Sequence, residues 1–137
     1  MPSLPSEPFI SVVIPTFRRP HTLRRAIDSI LDQDFADWEI VVSDDEQPAG
    51  ASSSLVAEYA RRDRRIRLVG NHRARGQIGN TNNAMLSARG RWIKLLHDDD
   101  WLAAGALRRF AEVARSHASA VFLTCAANLV LDHGIKP

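Results

Sequence analysis

The residues Phe9-Ile10-Ser11-Val12-Val13-Ile14 form a near-continuous apolar run, rich in β-branched side chains, that Pro15 stops. A strand with one wet face alternates apolar and polar residues. A run without that alternation belongs to a strand covered on both faces, and sheets of such strands are parallel, with helices as the covers. Parallel neighbours need a crossover of a dozen or more residues between them. The next segment has the right pattern. Pro20 fits a first helical position, and Leu23, Ala26, Ile27, Ile30 and Leu31 follow the i, i+3, i+4, i+7, i+8 spacing of one buried helix face.

The alternation then repeats. Trp38 to Val42 reads as a second strand ending in Ser43-Asp44-Asp45. Gln47 to Ser53 reads as loop, followed by a helix through Leu55, Val56 and Tyr59. Ile66 to Val69 is a short third strand. Gly70 to Gly79, with Arg73 and Arg75, reads as a loop, and a helix from about Asn80 to Ala88 is given Gly90 as its C-terminal cap. Trp92 to Leu96 is the fourth strand and runs into His97-Asp98-Asp99-Asp100. Leu102, Ala106, Leu107, Phe110 and Val113 mark the helix after it. The longest apolar stretch, Ala118 to Leu131, predicts buried strands at Ala120–Thr124 and Ala127–Leu131. Residues 1–8, with three prolines, read as a flexible lead-in, and 9–137 as one domain. The expected fold is α/β: a Rossmann-like, mostly parallel sheet with right-handed crossovers, flanked by helices.

A chain of 137 residues suits one domain and can bury a core without disulfides or metal staples. The single cysteine, Cys125, sits in an apolar run and is expected to be a buried free thiol, which fits a reducing compartment. No stretch has the length and apolarity of a transmembrane helix, and Met1 to Pro8 lacks the apolar core of a leader peptide. Of the 18 Lys and Arg residues only Lys94 and Lys136 are lysine. Arg61, Arg62, Arg64, Arg65 and Arg67 read as a solvated helix end. A net charge of +2 is too small for a strong nucleic-acid surface, so no nucleic-acid partner is expected.

In an open α/β sheet, ligands bind beyond the carboxyl ends of the strands. Three strands here end unusually, in Pro15-Thr16-Phe17-Arg18, in Asp44-Asp45 and in His97-Asp98-Asp99-Asp100. Five carboxylates on one rim repel unless a cation or hydrogen-bond donors offset them. Mg²⁺ and Mn²⁺ prefer such oxygen ligands and are often held by a few carboxylates plus substrate phosphates. Each piece also has a plainer reading. Asp100 suits a helix N-cap, Asp44 and Asp45 suit a turn, and His97 suits a packed rim position. Dinucleotide-binding, P-loop, G-x-S-x-G and zinc patterns are absent.

Four segments in order resemble family 2 glycosyltransferases, inverting enzymes with a GT-A fold. They are Ser11 to Arg19, Glu39 to Asp45, Asn82 with Ala88 to Ile93, and Leu95 to Leu102. The resemblance runs from about Phe9 to about Val113. It implies that Pro15, Thr16 and Phe17 lie against the base and ribose of a nucleotide-diphosphate sugar. Asp44 and Asp45 would bind the base, Arg73 or Arg75 the base or phosphate. Asp99 would be the main ligand of Mn²⁺ or Mg²⁺, with Asp98 at the metal or ribose. It further implies a saccharide or lipid-linked acceptor and work in the cytoplasm, peripheral to the inner membrane face. The chain departs from the family pattern at His97, where the first Asp of the motif is usual. It departs again at Arg18 for Asn, at Glu46-Gln47 for Gly-Ser and at Thr81 for Arg.

Nothing after Cys125 resembles the acceptor-binding half, which supplies the general base. Truncation after the acidic motif is therefore expected, with the general base beyond the chain end. An exposed apolar surface, and with it self-association, follows from the same expectation. A non-catalytic nucleotide-diphosphate-binding fragment or interaction domain of the same fold is the alternative to an enzyme.

Overall fold

A computed structural model describes residues 7–46, 48–131 and 134–136. Most of the expected lead-in (residues 1–6), Gln47, Asp132, His133 and Pro137 lie outside the described residues. Three parallel crossovers come first: β1 (Ile10–Thr16), α1 (Pro20–Leu31), β2 (Trp38–Asp44), α2 (Ala51–Arg62), β3 (Ile66–Gly70), α3 (Gln77–Leu86) and β4 (Trp92–Leu95). Helix α4 (Ala106–Ser116) follows, then β5 (Leu129–Leu131) and β6 (Gly134–Lys136). The four-stranded sheet has the order β3-β2-β1-β4, with every pair parallel. The strands step outward from β1 to β3, and β4 then returns to the other side of β1. Such a reversal leaves a crevice at the carboxyl ends of the two strands that flank it, here β1 and β4.

The buried residues of β1 and β2 divide between two faces, as the period of two requires. Val12, Ile14, Ile40 and Val42 share a core with Leu23, Ala26, Ile27 and Ile30 of α1, Leu55 and Val56 of α2, and Leu107 and Ala111 of α4. Val13 and Val41 pack on the other face with Ala84 of α3. That second face also carries polar side chains. The carboxylate of Glu39 accepts from Ser11 Oγ (2.7 Å), Arg67 Nε (3.0 Å) and Arg89 N (2.8 Å). Arg67 also donates to Ser87 O at the end of α3 (2.7 Å). Burial alone would raise the pKa of Glu39, but these donors hold it below the ordinary value of 4.5. Arg67 therefore belongs to a half-buried clasp, not to a solvated helix end.

Several expectations are corrected. Gly90 does not cap α3, whose C-cap is Ser87. Gly90 lies against β1 instead, where an added Cβ would stand 2.7 Å from both Ser11 N and Ser11 Oγ. Helix α3 begins three residues earlier than read, because Gly76 at its N-cap adopts φ 100° and so closes the loop without steric cost. Helix α4 begins at Ala106, with Gly105 at its N-cap, so Asp100 is not a cap and Leu102 precedes the helix. The cause is not local. Gln33, just past α1, accepts from Leu107 N (3.1 Å) and donates to Ala103 O (3.0 Å), while Leu102 N donates to Ser29 Oγ (3.0 Å). Helix α1 thus holds residues 102–107 and fixes where α4 starts.

The expected buried strand at Ala120–Thr124 is not formed, and of Ala127–Leu131 only Leu129–Leu131 is strand. It pairs antiparallel with β6 and not with the main sheet. Val121 is 96% exposed and Phe122 80%, and Cys125 is exposed, not buried. Among the described residues β4 has β1 on one edge and no strand on the other. A groove of about 910 Å³ runs there, lined by Ile93, Met85, Phe110, Val121 and Phe122 among others. An apolar run cannot bury itself beside a sheet edge without a further covering layer. The exposed apolar surface thus comes from a stretch that the sequence leads one to expect as buried strand.

Candidate functional site

Thr16, the last residue of β1, is the hub of the carboxyl rim. Its Oγ1 donates to Asp98 Oδ2 beyond β4 (2.8 Å). Its carbonyl accepts from Asp45 N beyond β2 (3.1 Å) and from Asn80 Nδ2 of α3 (3.1 Å). Both Thr16 and Asp98 are buried, at 2% and 6% exposure. The two acidic motifs, more than fifty residues apart in sequence, therefore flank one residue. Pro15 is buried within β1, beside Ser43 of β2. Phe17 turns outward, 44% exposed, with the guanidinium of Arg18 4.9 Å from its ring centroid.

The carboxylates do not converge as one set. Asp44 accepts from Ser53 Oγ (2.6 Å) and Glu46 N (3.0 Å). Asp45 is filled by the loop after β3: Asn71 Nδ2 on Oδ1 (2.7 Å) and Gly76 N on Oδ2 (2.8 Å), with Arg75 on its carbonyl (3.1 Å). Arg73 is exposed, and its backbone N–H donates to Asn71 Oδ1 (2.9 Å). On the β4 side, Asp98 and Asp99 share Arg19, whose Nη1 lies 3.4 Å from Asp98 Oδ1 and 3.1 Å from Asp99 Oδ2. Arg25 donates to Asp99 O (2.9 Å) and lies over the Trp101 ring (4.0 Å).

The rim is thus divided. At the β2 side Asp44 and Asp45 are held by hydrogen-bond donors, and an acidic end at Asp98 and Asp99 is held by one guanidinium. Among the described residues no three His, Cys, Asp or Glu side chains gather closely enough to form a metal cage. A pair of neighbouring carboxylates that already shares a cation nevertheless suits a hard divalent ion, which is commonly held by one or two carboxylates plus water and phosphate oxygens. His97 is half-buried and Asp100 is exposed.

Sequence reasoning missed four residues. Asn80 and Asn83, both buried on α3, bind the rim from below. Asn80 accepts from Ser43 Oγ (2.7 Å), and Asn83 donates to Ser43 Oγ and Gly70 O (2.9 Å each). Asn82, the residue in the family-like motif, is exposed. The i, i+3 spacing of Asn80 and Asn83 on a short helix was the available signal. Asn71 and Arg19 had none, because their partners lie 26 and about 80 residues away.

A family profile described as Glycosyl transferase family 2 matches residues 11–129. The chain is 40% identical over 119 residues to the GalNAc(5)-diNAcBac-PP-undecaprenol beta-1,3-glucosyltransferase of Campylobacter jejuni, covering 86% of this chain and 38% of that protein. It is 37% identical over 95 residues to the UDP-Glc:alpha-D-GlcNAc-diphosphoundecaprenol beta-1,3-glucosyltransferase WfgD of Escherichia coli, covering 69% and 36% respectively. In fold it resembles the mannosyltransferase PcManGT of Pyrobaculum calidifontis, solved with GDP-Man and Mn²⁺. That likeness has a TM-score of 0.66 at 23% identity, over 82% of this chain and 33% of the other. The chain spans a little over a third of the length of these curated relatives.

Proposed function

The chain belongs to glycosyl transferase family 2 and has the GT-A type of α/β sheet, and from that premise we propose that it forms the donor-binding part of an inverting, metal-dependent glycosyltransferase. The donor is a nucleoside diphosphate sugar, with UDP as its nucleotide. The observation that carries this is the Thr16 hub, which sets Asp45 and Asp98 on either side of β1 at the point where strand order reverses.

The division of the rim supports a division of labour. Phe17 offers an exposed ring for the base, and Pro15 and Thr16 set the floor beneath it. Asp44 and Asp45 flank the base, and Arg73 or Arg75 reaches base or phosphate from the loop that Asp45 anchors. Asp98 and Asp99 hold Mn²⁺ or Mg²⁺, with Asp98 also able to meet the ribose. When bound, such an ion supplies Lewis-acid stabilisation of the departing diphosphate. Arginine close by offsets the remaining phosphate charge with planar, bidentate donors. No residue is assigned to deprotonating the acceptor hydroxyl.

The names of the relatives, both of which act on undecaprenyl-linked saccharides, support a lipid-linked saccharide as acceptor and a role in cell-envelope polysaccharide synthesis. Among the described residues no helix is long and apolar enough to cross a membrane. Titration calorimetry of UDP with and without Mn²⁺, on the chain and on Asp99→Ala, tests the reading. Binding that needs the ion and weakens about 10-fold or more in the variant is expected. Metal-dependent binding that survives unchanged removes Asp99 from its role.

A further inference from the structure

We propose that Arg19 is a built-in counter-cation for the Asp98–Asp99 pair, one that a divalent ion must displace; this rests on the metal reading above. Arg19 sits between β1 and α1, at the N-cap of the helix, yet its side chain caps nothing there. The residue before it, Arg18, holds φ 56°, the only left-handed non-glycine backbone among the described residues. The chain turns sharply at that point, and Arg19 returns over the end of β4. A single guanidinium nitrogen then meets both carboxylates, 3.4 Å from Asp98 and 3.1 Å from Asp99. Among the described residues no other Lys or Arg forms an ion pair with either carboxylate. Arg25 donates instead to the Asp99 carbonyl and lies over the Trp101 ring.

The asymmetry of exposure gives the contact its consequence. The Asp98 side chain is buried, so its charge needs a partner. The Arg19 side chain is more than half exposed and can leave for water at little cost. The guanidinium therefore keeps two adjacent carboxylates from repelling each other before an ion arrives. It also lowers the affinity of that pair for the ion, because one cation has to go before the other binds. Once released, Arg19 stands beside the acidic pair as a free cation for a diphosphate.

The test is Mn²⁺ binding alone, read by the loss of the free-ion EPR signal at low ionic strength. Wild type, Arg19→Ala and Arg19→Lys are compared, with Arg19→Gln replacing the alanine variant should that one fail to fold. Removal of the charge should tighten Mn²⁺ binding about 3- to 10-fold, from the loss of two partly exposed ion pairs. Lysine, which keeps the charge, should stay within about twofold of wild type. Adding UDP should strengthen Mn²⁺ binding less in the alanine variant than in wild type. Unchanged or weaker Mn²⁺ binding in Arg19→Ala overturns the counter-cation role and leaves the metal reading standing. Absence of Mn²⁺ binding in every protein, with and without UDP, overturns both.

Discussion

At the scale of single residues, the rim is a set of exact pairings with few spare atoms. Thr16 Oγ1 is the donor that orients Asp98, and both are buried. Replacing Thr16 by Val keeps the shape and leaves an acceptor unmatched, so the variant should lose about 1–3 kcal/mol of stability, read by urea unfolding. Arg18 shows the opposite situation. Its left-handed backbone favours Asn, which tolerates that conformation far better than a long side chain does. Arg18 is held by an exposed ion pair with Glu46 at 3.0 Å and by the Phe17 ring. Exposed pairs contribute little. Arg18→Asn should therefore raise the thermal midpoint by about 1–3 °C in scanning calorimetry, and a fall of that size would mean that the pair outweighs the strain.

At the scale of elements, Glu39 joins β1, β2, β3 and the segment after α3 through one carboxylate. Its pKa is held below the ordinary 4.5 in the folded chain. Its contribution to stability is therefore complete above that ordinary value and is lost as pH falls through the lower folded one. Glu39→Gln should cost about 1–3 kcal/mol at neutral pH. The gap to wild type should narrow as the solution is acidified below about pH 4.5. A gap that is constant with pH would show that the charge is not what the clasp uses. Elements were legible in the sequence where their partners were uniform. β1 and β2 are buried on both faces, so a continuous apolar run identified them. The face of α1 was legible for the same reason, since Leu23, Ala26, Ile27 and Ile30, three or four residues apart, meet one core. The start of α4 was not, because Gln33 sets it from another element. The donors that fill Asp45, and the guanidinium between Asp98 and Asp99, were not legible either, since ion pairs and side-chain bonds across 26 to 80 residues leave no local pattern.

At the scale of the whole molecule, a parallel sheet of four strands leaves one flank of β4 bare among the described residues, and the apolar stretch after α4 lies beside it instead of joining it. The sequence carried the apolarity of that stretch but not what covers it, so burial was expected where the structure shows exposure. Val121 and Phe122 should give this groove affinity for a hydrophobic dye. Phe122→Ser should reduce dye fluorescence at least about twofold while moving the thermal midpoint by no more than about 1 °C, since the ring buries little surface. The carboxyl end of β4 is where function is proposed, because strand order, the Thr16 hub and the acidic pair coincide there. Mn²⁺ provides the most direct measurement of that claim. In ¹⁵N-labelled chain with UDP and substoichiometric Mn²⁺, paramagnetic broadening should be strongest at the amides of Asp98, Asp99 and Thr16. UDP alone should shift Phe17, Asp45 and Gly76, and Val121 and the α4 C-terminus should be untouched. Broadening centred anywhere else, or none with UDP bound, would contradict a metal-assisted nucleotide site at this rim.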